Sequence, residues 1–519
     1  MMTRLFPMVV PMILAGTAFA SGRFDESEAT TLFAFDNVSI PHTQNLRLEM
    51  NEPRRHPANP VLRRGAAGAP DAMGVQFYGS VIREEGRFRM WYVAFDDDAS
   101  SNAPSTRWRA AYAESDDGIN WRKPSLGLVP FRGNMDNNLV DVGGDWGFVN
   151  LKVIRDETDP DPARRYKMTT HVYFRHHTRL GTLLPFVSPD GFTWTPVKEV
   201  KPVKGELRKE DLFLPIVHLE PCGGLYRWDD WYYLTAQNAM PGIHQYQGRV
   251  TRIYRSADFV NWKATNHIGF VRGTQHEWLG AGRSREGEQN HEGISVWHRG
   301  NVLLGVYGRW QGAAEWKDVT VDLGLVISND GLGFREPEHE WTFLRRGEDG
   351  AWDQGGLLQG QGFENVGDET RIYYGAWDPR GTGGPPAPRG GVGIAVLPRD
   401  RFGALVVDES GKGPGDYQAP EITHEFVTAS LPVAQGTKPK VFLNADGLGS
   451  RATLFIEMLD HAERRVPGRV AKVGESGLQV PVEWADPDEA AVPDRIRFRV
   501  VFEGPENTAT RFHALYLVP

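Results

Sequence analysis

Five segments of this chain repeat one pattern at almost even intervals. Each is a β-rich run, then serine with acidic residues and glycine, then an aromatic ring. The copies are "AYAESDDGINW" ending at Trp121, "LPFVSPDGFTW" at Trp194, "IYRSADFVNW" at Trp262 and "GLVISNDGLGF" at Phe334, with a weaker "GIAVLPRDRF" at Phe402. The gaps are 73, 68, 72 and 68 residues. A unit of this length exceeds a solenoid repeat and suits one four-stranded propeller blade with its loops.

Each unit reads as paired hairpins. In the first, "GVQFYGSVI" and "RFRMWYVAF" join across Arg83–Gly86, and "WRAAYAES" and "INWRKP" join across Asp116-Asp117-Gly118. Asp-Gly between strands is tight-turn chemistry, so the recurring motif reads as structural, with a polar turn and an aromatic packed between blades. The composition agrees: 58 Gly, 35 Pro and 16 Trp in 519 residues favour short strands and turns over long helices. The expected fold is therefore all-β: a five-bladed β-propeller over residues 32–405, a Gly/Pro-rich linker over 406–420 that contains "ESGKGPGDYQAP", and a small β-sandwich over 421–519. The last unit rests on alternating runs such as "PKVFLNA", "ATLFIEML" and "RIRFRVVF".

The first residues, "MMTRLFPMVVPMILAGTAFASG", combine a basic start, an apolar run too short to span a bilayer and an A-x-A site at Ala18–Ala20. This predicts a signal peptide over residues 1–20 and a secreted or periplasmic protein without a membrane anchor. The lone Cys222 excludes an internal disulfide. A formal charge of −9 gives no electrostatic ground for a nucleic-acid partner.

In a propeller the first strand of every blade lines the central channel, so residues at the starts of those strands converge on one mouth. Aligned there are Asp71 in "PDAMGVQF", Asp145 in "GGDWGFVN", Glu220 in "HLEPCGGLYRW", His291-Glu292 in "QNHEGISVW", and Gln359 and Gln361 in "QGQGFENVG". Converging like charges are costly, and two carboxyls flanking a sugar bond are the minimal apparatus of glycoside hydrolysis. His291 and Glu292 are candidate sugar-binding residues, as is Gln361, and Trp146 is a candidate stacking platform. Cys222 lacks a neighbouring base or cation in sequence and reads as a bystander. No metal or cofactor is expected; the expected partner is a carbohydrate.

These blade openings resemble those of five-bladed glycoside hydrolases, the invertase-like family 32 and the arabinanase/xylosidase-like family 43. "LEPCGGLYRW" looks like a permuted Glu-Cys-Pro motif at the start of the third blade. The resemblance implies Asp71 as nucleophile or general base, Asp145 as the orienting, pKa-tuning acid and Glu220 as general acid. The Trp-x-Asn-Asp-Pro and Arg-Asp-Pro signatures are absent at Asp71 and Asp145, which leaves the sugar and the stereochemistry open. The pattern, with "GISVWHRGNVLLGVYGRW" and "GIAVLPRDRFGAL", is also similar to secreted bacterial proteins with a family-32-like propeller and a C-terminal sandwich. The alternatives are a glycan-binding propeller without activity and a sialidase-like six-bladed enzyme. Five repeats and no evident arginine triad speak against the latter.

Overall fold

The computed structural model describes residues 24–519 apart from 25, 27, 97–107, 145, 175–180, 201–212, 214–219, 239–248, 273–286, 378–388 and 411–422. The described chain is all-β, with strands, short 3₁₀ turns and no α-helix. None of its helices is therefore long and apolar enough to cross a membrane.

The repeated motif builds one turn four times over. Ser115 Oγ accepts the Gly118 N–H (2.9 Å), Asp117 Oδ1 accepts those of Ile119 (2.8 Å) and Asn120 (2.7 Å), and Trp121 Nε1 donates back to the Gly118 carbonyl (3.0 Å). Gly118 has φ +75°, which glycine tolerates without steric cost. Asp190, Asp258 and Asp330 repeat the aspartate's part in their own turns. In the third copy Phe259 takes the left-handed position, at φ +64°. The turns also stitch neighbouring sheets: Trp91 Nε1 donates to Gly191 O (2.7 Å), Tyr226 Oη to Gly331 O (2.6 Å) and Tyr373 Oη to Gly118 O (2.9 Å).

Around these turns the chain forms successive antiparallel sheets. The first is Gly74–Glu84, Arg87–Phe95 and Trp108–Ser115. The second runs from Trp146–Arg155 through Tyr166–Phe174 and Gly181–Ser188 to Thr195–Pro196. The third is Glu220–Trp228, Trp231–Asn238, Val250–Ser256 and Lys263–Phe270. Gly287–His298, Leu303–Gly312 and Thr320–Ser328 make the fourth. Gly356–Val366, Glu369–Trp377 and Val392–Pro398 make the fifth, whose outer edge is Arg54–Arg55 from far upstream. The opening strands of these sheets touch in a ring, each against the next, with Gly356–Val366 returning to Gly74–Glu84. Buried aromatics fill the wedges between sheets, among them Trp91, Trp194, Tyr112 and Tyr254.

The C-terminal residues form two six-stranded sheets around one apolar core that includes Leu443, Leu454, Phe498 and Leu515. Here the structure moves the expected boundaries. Thr30–Phe33 pairs with Arg511–Val518, Leu46–Met50 pairs with Gly403–Val407, and His42–Gln44 pairs with Glu425–Val427. Residues 32–50 and 403–407, expected in the propeller and linker, thus pair within the C-terminal sheets. Their apolar faces are covered by Phe426, Leu443 and Phe512.

Candidate active site

The ring of opening strands encloses a channel that side chains cross. Lys152, fully buried, sits inside the apolar run "NLKVI" of the second opening strand. Its Nζ donates to Tyr78 O on the first opening strand (2.7 Å) and Gln359 O on the fifth (3.2 Å). Gln361 reaches from the fifth to the third, donating to Leu225 O (2.8 Å) and accepting from Leu225 N (2.9 Å). Gln76 Nε2 ties the first to the second through Val149 O (2.8 Å). These bonds satisfy backbone groups that burial would otherwise penalise, and they make a floor across the ring.

One opening strand carries a strained backbone bulge. In the fourth opening strand His291 pairs with Gly308 and Ile294 with Tyr307, so Glu292 and Gly293 bulge out of register. Their φ angles are +63° and +76°. A glutamate in the left-handed region costs about 1–2 kcal/mol, and neighbouring sheets enforce it. Gln237 Oε1 accepts the Glu292 N–H (2.8 Å), and Thr235 Oγ1 accepts from Ile294 N (3.1 Å) and donates to Ile294 O (2.6 Å). Gln359 Nε2 donates to the carbonyls of His291 (2.7 Å) and Gly293 (3.1 Å). Gly223 lies so close that a Cβ there would stand 2.4 Å from Ile294 N and 2.5 Å from Glu292 O. This contact accounts for the glycines in "EPCGG".

The bulge sets one oxygen of Glu292 3.3 Å from His291 Nε2, while His291 Nδ1 lies 3.3 Å from Tyr78 Oη. The imidazole stacks on Trp310 (4.8 Å between centroids, 17°) and on Trp377 (5.8 Å, 6°), and Arg249 covers Trp310 at 4.0 Å. Burial, with the Arg249 guanidinium nearby, pushes His291 well below the ordinary imidazole range.

The sequence-predicted residues fall into three groups. His291 and Glu292 form the centre just described. Glu220 opens the third strand, paired with Gln237, the residue that binds the Glu292 amide. Its side chain and that of Cys222 lie outside the described residues, as does Asp145 altogether.

The other three have different surroundings. Asp71 is 1% exposed, and its carboxylate accepts from Tyr92 Oη (2.8 Å), Gly65 N (3.0 Å) and Lys123 Nζ. These partners all come from the first sheet and its flanking loops, so the contacts fasten the segment before that sheet. Trp146, expected as a stacking platform, is 6% exposed in the core beside Phe148 and Phe186, with Gly144 pressed against its ring. The apolar demand of the wedge between sheets outweighs the adjacency to Asp145. Gln361 holds Leu225, and both ends of its amide are engaged there.

Tyr78, Lys152, Gln237 and Trp377 were not legible as site residues. Only Lys152 carried a signal, as a lone cation in an apolar inner strand. Among the described residues no group of three or more His, Cys, Asp or Glu side chains could hold a metal ion.

No known family matches the sequence, and no curated protein matches it. Solved structures are similar over part of the chain. One comes from a study of the GH130 family of mannoside phosphorylases, described as containing glycoside hydrolases that target β-1,2 mannosidic linkages in Candida mannan. It is 16% identical over 69% of this chain and 95% of its own, with a TM-score of 0.43. A candidate glycoside hydrolase from Parabacteroides distasonis is 14% identical over 69% of this chain and 98% of its own, with a TM-score of 0.42. An N-acetylgalactosamine deacetylase from F. plautii, in complex with blood group B trisaccharide, is 14% identical over 69% of this chain and 96% of its own, with a TM-score of 0.43.

Proposed function

We propose that this chain is a secreted glycoside hydrolase, built as a five-bladed β-propeller followed by a β-sandwich, that cleaves an oligo- or polysaccharide with carboxylates at the propeller mouth. The observation that carries the reading is the link through Gln237. This residue pairs with Glu220 at the start of one opening strand and binds the Glu292 amide on the next. One glutamate thereby begins an inner strand and the other stands in the bulge of the adjacent one, above a channel floored by Lys152, Gln359 and Gln361. Paired carboxyls on either side of a glycosidic bond supply a proton to the leaving oxygen and a base or nucleophile to the opposite face.

Glu220 is the general acid in this reading. Asp145 is the acid that orients the substrate, and Asp71 supports the site by fixing the segment before the first blade through Lys123 and Tyr92. Strain held at Glu292 by two neighbouring sheets fits a functional site, where such conformations concentrate.

The test is release of reducing sugar from a panel of plant, algal and bacterial glycans by the purified mature protein. Wild type is expected to cleave at least one, and Glu220→Gln to lose about 10²–10⁴-fold in rate. Retention of a glycan in affinity electrophoresis, with no sugar released from any, would establish the glycan-binding alternative instead.

A further inference from the structure

Outside the channel, residues of the first and second sheets line a cleft of about 230 Å³. Gly74 pairs with Phe95 and Phe95 with Trp108, so Arg109 on its wall stands at the end of the first sheet where the opening strand begins. Phe148, also on the wall, is the third residue of the second opening strand. Resting on the hydrolase reading for the kind of ligand, we propose that this cleft binds one uncharged sugar residue of the glycan, beside the channel mouth.

Arg109 is held there as a prepared donor. Its Nε donates to Asp96 Oδ2 at 2.9 Å, and its guanidinium lies 5.1 Å from the centre of the Phe131 ring. The Asp96 side chain is fully buried while that of Arg109 is 23% exposed, so the pair is anchored at the acid and open at the guanidinium. A buried carboxylate keeps its counter-ion in place. Among the described residues Nε is the one group of this guanidinium that makes a hydrogen bond, which leaves both Nη groups for a ligand. Asp141 is the acceptor. Its amide donates to Phe192 O (2.9 Å) and its carbonyl accepts from Trp194 N (2.7 Å), so its backbone is clamped to a turn of the second sheet. Oδ1 accepts from Gly143 N (2.9 Å), while Oδ2 has no partner among the described residues.

The rest of the wall includes Val129, Pro130 and Val142, none of them fully covered. A guanidinium fork, a carboxylate oxygen and an aliphatic wall together match a sugar ring. Its hydroxyls accept from the first and donate to the second, while its C–H groups cover the third. Size and charge narrow the ligand. A volume of about 230 Å³ falls below the roughly 300–1,000 Å³ of pockets for drug-sized molecules, so one residue fits and a chain does not. Arg109 is already balanced by Asp96, and Asp141 adds a negative charge, so a uronate or sulfated unit is repelled and an uncharged one is not. Arg109 lies on the third strand of its sheet, two strand spacings or about 10 Å outward from the opening strand. A glycan that enters the channel mouth by one residue therefore reaches the cleft with another.

Affinity electrophoresis of the purified protein reads the binding, through neutral glycans (glucan, mannan, galactan, arabinan and xylan) and acidic ones (polygalacturonate and alginate). Two variants alter the cleft by different means. Pro130→Trp fills it from an exposed position, and Arg109→Lys keeps a cation beside Asp96 but removes the fork. Wild type is expected to be retarded more strongly by at least one neutral glycan than by either acidic one. Each variant is expected to raise the dissociation constant for that glycan at least about fivefold, the loss of one or two hydrogen bonds, with an unchanged melting temperature. If Arg109→Lys lowers the melting temperature, Pro130→Trp alone decides. An unchanged dissociation constant in Pro130→Trp, or equal or stronger retardation by an acidic glycan, would overturn the proposal. Sugar release by wild type without retardation by any glycan would overturn the cleft and leave the hydrolase reading standing. Retardation weakened in the variants, with no sugar released by wild type, would uphold the cleft and overturn the hydrolase reading. Neither release nor retardation would overturn both.

Discussion

Replacing Arg299 by methionine removes the cation from a buried charge cluster that joins three parts of the chain. Arg299 is 3% exposed and binds both oxygens of the fully buried Asp400, with Nη2 3.1 Å from Oδ2 and Nη1 on Oδ1. Glu26 lies 3.3 Å from the same guanidinium and also accepts from Arg399 Nε (2.6 Å) and Asn365 Nδ2 (2.6 Å). Asp400 further accepts from Asn365 Nδ2 (3.1 Å) and from Tyr516 Oη (2.9 Å) of the C-terminal sheets.

Without Arg299 the Asp400 carboxylate keeps two neutral donors and loses its counter-ion. Stranding a buried charge in this way costs about 3–5 kcal/mol. Methionine retains most of the packing over Trp297 and Phe33, which the guanidinium now covers at 4.5 and 5.5 Å, so the loss isolates the charge. The assay is urea unfolding followed by tryptophan fluorescence for Arg299→Met, Asp400→Asn and the double variant. Asparagine tolerates the φ of +60° at position 400. The double variant is expected to be more stable than the sum of the single losses implies, by at least about 2 kcal/mol.

The pH dependence has a definite sign. Arg299 lowers the Asp400 pKa, so the stabilisation is present above the unfolded carboxyl's value and is lost as pH falls through the lower folded one. The difference between wild type and Arg299→Met is therefore expected to narrow on acidification. Additive single losses, or an Arg299→Met cost below about 1 kcal/mol at pH 7, would refute the counter-ion argument.

Gln361→Leu is expected to cost about 2–5 kcal/mol in the same assay, since it strands the buried N–H and C=O of Leu225; a cost near zero would mean that the cross-channel tie is dispensable. His513, 2% exposed with Nδ1 2.8 Å from Gly403 O, has its pKa pushed down by burial to about 4 from 6.5. Its contribution, about 3 kcal/mol, is present above pH 6.5 and lost as pH falls toward 4. His513→Asn should accordingly flatten the fall in melting temperature over that interval, and an unchanged profile would exclude His513 as its source.

Legibility divides along the range of the interactions. The hairpin Trp228–Trp231 turns through Asp229-Asp230 and the hairpin Glu84–Arg87 through Glu85-Gly86, and each is written in its own few residues. The Ser-x-Asp-Gly turns are equally local, because serine and aspartate there bind backbone two and three residues on. Even the copy without glycine, at Phe259, keeps the turn, since the Asp258 bonds to Val260 and Asn261 remain. From such turns and their spacing, an all-β chain of successive sheets follows without any knowledge of contacts.

The site is another matter. Asp71 and Glu292 both stand near the openings of inner strands, but one is folded back onto Lys123 while the other is held out by a bulge. That difference depends on Gln237, Gln359 and Gly223, which lie 55, 67 and 69 positions from Glu292 in sequence. Likewise residues 32–50 leave the repeat to complete the C-terminal sheets because their partners lie more than 350 residues downstream. Local sequence settled where this chain turns and which faces it buries, since turn hydrogen bonds and alternation act within a few residues. Which polar groups meet across the ring was decided by closure of the tertiary structure, because the ring brings distant strands within hydrogen-bond reach and burial then requires every polar group there to find a partner.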